Sequence, residues 1–134
     1  MERRIEEILG GARDAGKTVQ TPYLCAGYPD NEALEPMLAA CEHAGCPIAI
    51  LAMAHATPSF EGVDVAAAMG QVLSRGVKLD AIFELTRRAR AIGAISGRFG
   101  LVAAVSAALL HRDLAAGPAG FMRRAKAAGF DGVL

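Results

Sequence analysis

The period of apolar positions changes several times along the chain, and each change marks an expected element. Ile5, Ile8 and Leu9 fall at i, i+3 and i+4 within a charged stretch, which predicts an amphipathic helix over residues 2–13, ended by Gly16. Val19 to Ala26 is a mostly apolar run closed by Gly27-Tyr28-Pro29-Asp30, the pattern of a strand feeding a turn. Helical spacing resumes at Leu34, Met37, Leu38 and Cys41. Asp30 or Asn31 is the expected cap there, and Pro36 is tolerable only within the first turn and a half. After Ala44-Gly45-Cys46, the continuous apolar run Pro47 to Met53 suits a strand buried on both faces, as parallel sheets require. A loop at 54–62 carries His55, Thr57, Pro58, Glu61 and Gly62. Helices are expected at 63–74 and 79–92, the second burying Ile82, Leu85 and Ala89 and turning Arg87, Arg88 and Arg90 to solvent. Residues 101–107 predict a third strand, 117–128 a further helix, and 131–134 the beginning of a fourth strand.

The resulting order is a helix, three strand-then-helix repeats, and a strand. Each repeat spans about 30 residues or somewhat more, the length that right-handed βαβ connections need. The expected fold is therefore α/β: the N-terminal half, about four βα units, of a parallel eight-stranded (β/α)8 barrel of the TIM type, forming a single domain over 1–134. Four strands are half of what such a barrel needs to close. A chain whose final residues stand in a strand just begun is expected to be truncated at its C-terminus.

Composition narrows the function classes. Apolar residues make up 53% and charged residues 21%, which excludes a disordered chain. Fourteen basic side chains balance fourteen acidic ones, leaving no electrostatic footprint for nucleic acid or an anionic membrane. Cys25, Cys41 and Cys46 form no C-x-x-C pair and read as reduced thiols. The opening Met1-Glu2-Arg3-Arg4-Ile5-Glu6-Glu7 is too charged for a signal peptide, and no apolar run reaches the roughly 18 residues of a membrane span, so a cytoplasmic protein is expected. His43, His55 and His111 lack ligand spacing, so no metal site is expected. The loop Gly93 to Gly100 fits no dinucleotide fingerprint, and no cofactor is expected.

One segment carries a resemblance. Thr21-Pro22-Tyr23-Leu24-Cys25-Ala26-Gly27-Tyr28-Pro29-Asp30 is similar to the first strand and turn of the tryptophan synthase alpha subunit family. Glu42-His43-Ala44-Gly45, the turn Arg75-Gly76-Val77-Lys78-Leu79-Asp80 and the closing Ala125-Lys126-Ala127-Ala128-Gly129-Phe130-Asp131-Gly132-Val133-Leu134 resemble later motifs of the same family. The resemblance implies a retro-aldol cleavage of indole-3-glycerol phosphate to indole and glyceraldehyde 3-phosphate in tryptophan biosynthesis. It also implies a pyridoxal-phosphate-bearing beta subunit as partner. In that family a Glu at the end of the second strand shuttles a proton and a loop Asp holds the indole N–H, two carboxyl groups kept in unlike environments.

Carried onto this sequence, the loop Asp position holds Glu61, the expected catalytic residue, one methylene longer. The position of the proton-shuttling Glu holds Ile50, which can neither donate nor accept a proton. Tyr23 and Val65 match apolar positions lining the family's indole pocket, and Leu109-Leu110-His111 stands where the family carries Tyr-x-Asn. Plainer roles compete at each position: Ile50, Tyr23 and Val65 as core residues, Glu61 as a solvated loop carboxylate, His55 as a surface histidine. Three functions follow: an alpha-type lyase, inactive or degenerate as given; a non-catalytic relative keeping a beta-subunit-binding surface; or a different phosphate-binding barrel enzyme.

Overall fold

The computed structural model describes residues 3–59, 61–112 and 117–134. The elements run α1 (Arg4–Asp14), β1 (Tyr23–Cys25), α2 (Leu34–His43), β2 (Ile48–Ala52), α3 (Val63–Ser74), α4 (Leu79–Ala91), β3 (Gly100–Ala104), α5 (Ala107–Arg112), α6 (Gly117–Ala127) and β4 (Gly132–Val133). The four strands make one parallel sheet in the order β1-β2-β3-β4. Sequential strands joined through helices and lying side by side are the construction of a (β/α) barrel wall.

Alternation along the strands gives the sheet two unlike faces. Ala49 and Leu51 of β2, with Leu101 and Ala103 of β3, are completely buried among helix side chains such as Leu38, Phe83 and Phe121. The opposite face presents Ile48, Ile50 and Val102 to a cavity of about 630 Å³. Helix α1 seals the N-terminal end of that face. Gly100 makes the seal possible: a Cβ there would stand 2.6 Å from Ile5 Cδ1 and 3.1 Å from Ile48 Cγ1.

Several sequence expectations need correcting. The third strand stops at Ala104 and does not run to 107, because Ser106 Oγ accepts a hydrogen bond from Leu109 N (3.2 Å) and the chain turns into α5. Leu109 and His111 therefore sit on α5. β1 begins at Tyr23, four residues later than the apolar run suggests, and it pairs on one side alone. The first helix begins at Arg4 among the described residues, and Met1 and Glu2 of the expected span lie outside them. Asp30 is not the N-cap of α2, which is Ala33, but its Oδ1 accepts from Ala33 N at 2.9 Å and so satisfies one amide at that helix start.

Arg90 is the largest departure. The expected solvated arginine face holds for Arg87, which donates from Nε to Glu84 at 3.0 Å, and for the exposed Arg88. Arg90 instead turns inward one helical turn after the buried Thr86. Its guanidinium donates to Gly129 O (3.2 and 3.0 Å), Ser96 O (2.7 Å) and Asp131 Oδ2 (2.9 Å). Arg4 of α1 bonds the other oxygen of Asp131, and Leu101 N donates to Oδ2 at 2.9 Å. One carboxylate thus ties α1, α4, β3 and β4 together at the N-terminal end of the sheet. Burial pushes the Arg90 pKa down, against the favourable pull of Asp131.

Candidate functional site

At the opposite, C-terminal end, β1 and β2 bring the expected site residues together. Tyr23 and Ile50 are register partners, so their side chains share the cavity face of the sheet. The loop after β2 turns back, with Ser59 N donating to Thr57 O at 2.9 Å and Glu61 N to Pro58 O at 3.2 Å. This returns Glu61 over β1, where Tyr23 Oη donates to Glu61 Oε1 at 2.7 Å. Glu61 is half-buried and bonded, so the free solvated carboxylate is not what the fold holds. Tyr23 keeps 40% of its surface exposed and is not a plain core residue either.

Burial, the hydrogen bond to Glu61 and the Glu61 charge, with a smaller contribution from Cys25, push the Tyr23 phenol up from 10.0 to about 12. Each factor disfavours a phenolate beside a carboxylate. The Tyr23 proton is thus held more tightly in the folded chain than in the unfolded one. The stabilisation from this bond is fully present below pH 10 and is lost as pH rises towards about 12. Ultraviolet titration should find one late-ionising tyrosine, and Glu61→Ala should bring it back towards 10. An unchanged late tyrosine in that variant would mean that burial alone sets the shift.

Cys25 follows on the same strand. Its thiol is pushed up by burial and by the Glu61 charge, against a lowering pull from Arg75. Arg75, at the end of α3, donates to the carbonyl of Gly27, the first glycine of the turn after β1. Gly27 has φ +89, and a Cβ there would stand 3.2 Å from Asn31 Oδ1 and 3.4 Å from Val72 Cγ1. The turn therefore requires glycine and is clamped by Arg75, whose role has no signal in the sequence beyond its place in the Arg75-to-Asp80 turn.

Val65 lies in the first turn of α3, half-buried, four residues beyond Glu61. His55 is half-buried, and its Nδ1 is buried with no hydrogen-bond partner among the described residues, so the surface-histidine expectation fails. No group of three or more His, Cys, Asp or Glu among the described residues could hold a metal ion. No helix among the described residues is long and apolar enough to cross a membrane.

The geometry fixes what this end of the sheet can do. Glu61 can accept a hydrogen bond from an N–H donor, and Tyr23 offers a phenol and an aromatic face. Ile50 supplies only apolar surface to the cavity.

No family model matches the chain. The tryptophan synthase alpha chain of Alkalilimnicola ehrlichii is 32% identical over 131 residues, 98% of this chain and 46% of the relative. That of Acidithiobacillus ferrooxidans is 30% identical over the same share of each. Among solved structures, the tryptophan synthase alpha subunit of Legionella pneumophila superposes with a TM-score of 0.88 at 21% identity, over 99% of this chain and 48% of that one. Tryptophan synthase from M. tuberculosis superposes with a TM-score of 0.81 at 25% identity, over 97% and 49%. The chain spans about half the length of the curated relatives it matches. The α/β half-barrel read from the pattern of apolar runs is the architecture found, and the curated relatives and structural neighbours that the chain resembles over nearly its whole length are tryptophan synthase alpha chains.

Proposed function

We propose that this chain is an alpha-type unit that retains the aromatic-holding corner of the family's site without its proton shuttle, and that it does not cleave indole-3-glycerol phosphate. The observation that carries the reading is Ile50, which faces the cavity beside Tyr23 at the position matching the family's catalytic Glu. Loss of a positioned general acid–base group lowers a rate by about 10²–10⁴. Glu61 keeps the loop carboxylate and can orient an N–H, but a carboxylate that only orients moves no proton to a carbon.

The test is indole release from indole-3-glycerol phosphate by the purified chain, with and without a beta subunit. No indole above the uncatalysed background is expected. Indole formation that survives Glu61→Ala would show that other residues carry the chemistry.

A second reading is a docking unit for a beta subunit. It is favoured by the likeness to structures of tryptophan synthase from M. tuberculosis, including an aminoacrylate-bound form. Titration of the chain into beta subunit, followed by light scattering, separates a binder from a bystander.

A further inference from the structure

The end of α2 juxtaposes two cysteines that the candidate site does not use. Gly45 has φ +90, a conformation glycine adopts freely. Around it, Cys46 N donates to Cys41 O at 3.0 Å and Gly45 N to Glu42 O at 2.9 Å. These two bonds define a Schellman motif, in which the residues at Cys41 and Cys46 characteristically bring their side chains into contact. In most proteins that contact is made by two hydrocarbons. Here both partners are thiols, free and half-buried. The Cys46 charge also acts on the Cys41 thiol, an effect of their closeness.

We propose that Cys41 and Cys46 are a modification site: a dithiol that closes to an intramolecular disulfide when the chain meets a peroxide-class oxidant. A bridge needs Cα atoms about 4.4–6.8 Å apart, and the 3.0 Å bond from Cys46 N to Cys41 O keeps the two Cα atoms within about 7 Å of each other. One thiolate attacks a peroxide oxygen, the O–O bond breaks, and a sulfenic acid and water result. The second thiolate then attacks the sulfenic sulfur, forming S–S and releasing the second water. Two thiol protons and two electrons pass to the peroxide, so the step balances.

Burial and the neighbouring Cys46 push the Cys41 thiol up, so closure should accelerate towards alkaline pH. Cys25 is excluded as a partner by its place: it lies at the C-terminal end of β1, whereas the α2–β2 turn lies at the N-terminal end of β2. The bridge would staple α2 to β2 without disturbing the Tyr23–Glu61 corner.

The reduced chain is exposed to hydrogen peroxide under native conditions, then unfolded and alkylated for intact mass. Two of its three thiols should escape alkylation, and the mass before alkylation should fall by that of two hydrogen atoms. Protease cleavage after Glu42 should leave two fragments held together until reductant is added. Cys25→Ser should behave like wild type, and Cys46→Ser should lose the bridge. Far-ultraviolet circular dichroism, unchanged on oxidation, would show that closure occurs in the folded chain. Three alkylated thiols after oxidation, a bridge that includes Cys25, or a bridge between two chains would each overturn the proposal.

Discussion

Asp131→Ala should destabilise the chain by about 1.5–3 kcal/mol, the range for hydrogen bonds to a charged group. The Asp131 side chain is 8% exposed, and the arginine side chains it serves are 21% (Arg4) and 17% (Arg90) exposed. Truncation removes the shared carboxylate from two half-buried arginines and the side-chain acceptor of Leu101 N. Domains are commonly stable by only about 5–15 kcal/mol, so this loss is a large share of the total. Asp131→Asn should cost less, since its amide oxygen can still accept from Leu101 N while the charge is lost. Arg87→Ala, which removes an exposed pair with Glu84, should change stability by no more than about 1 kcal/mol. Urea unfolding of the three variants orders them. If Asp131→Ala were as mild as Arg87→Ala, the carboxylate would not be what binds α1 and α4 to the sheet.

That network also marks where reading the sequence runs out. The apolar runs identified all four strands and the parallel arrangement, because a strand buried on both faces must be continuously apolar and β2 is. Helices at 63–74 and 79–91 could be read nearly to the residue, since Gly62 precedes one and Gly76 separates them. Arg90 could not be read. Its spacing places it beside Arg87 and Arg88, and only the tertiary position of Asp131, 41 residues away, draws it inward. The strand ends failed for a related reason: Val105-Ser106-Ala107 continues the apolar pattern, and a single hydroxyl bond decides where the helix begins. In the candidate site, motif positions gave the identities of Tyr23, Ile50 and Glu61. They could not reveal that Tyr23 and Glu61 bond to each other, because that contact depends on how the 54–62 loop folds back.

The polypeptide of residues 1–134, produced on its own, should self-associate. The sheet of the described residues has β1 and β4 each paired on one side only, which leaves their outer backbone N–H and C=O groups to water or to another strand. The cavity face adds apolar surface in Ile50 and Val102, and beside it Leu134 is 72% exposed. In a closed eight-stranded barrel both edges are paired and that face becomes a filled interior. Short edge strands limit the number of bonds on offer, so association through edges alone would be weak; the apolar face supplies the larger driving force. Sedimentation equilibrium at micromolar concentration should therefore give a mass above the 13.9 kDa of one chain. Ile50→Lys places a charge on the cavity face without touching the helix-packed core, and it should shift the population back towards one chain. A wild-type chain that sediments at 13.9 kDa with a sharp cooperative melting transition would show that α1 and the loops cover this face well enough without a partner.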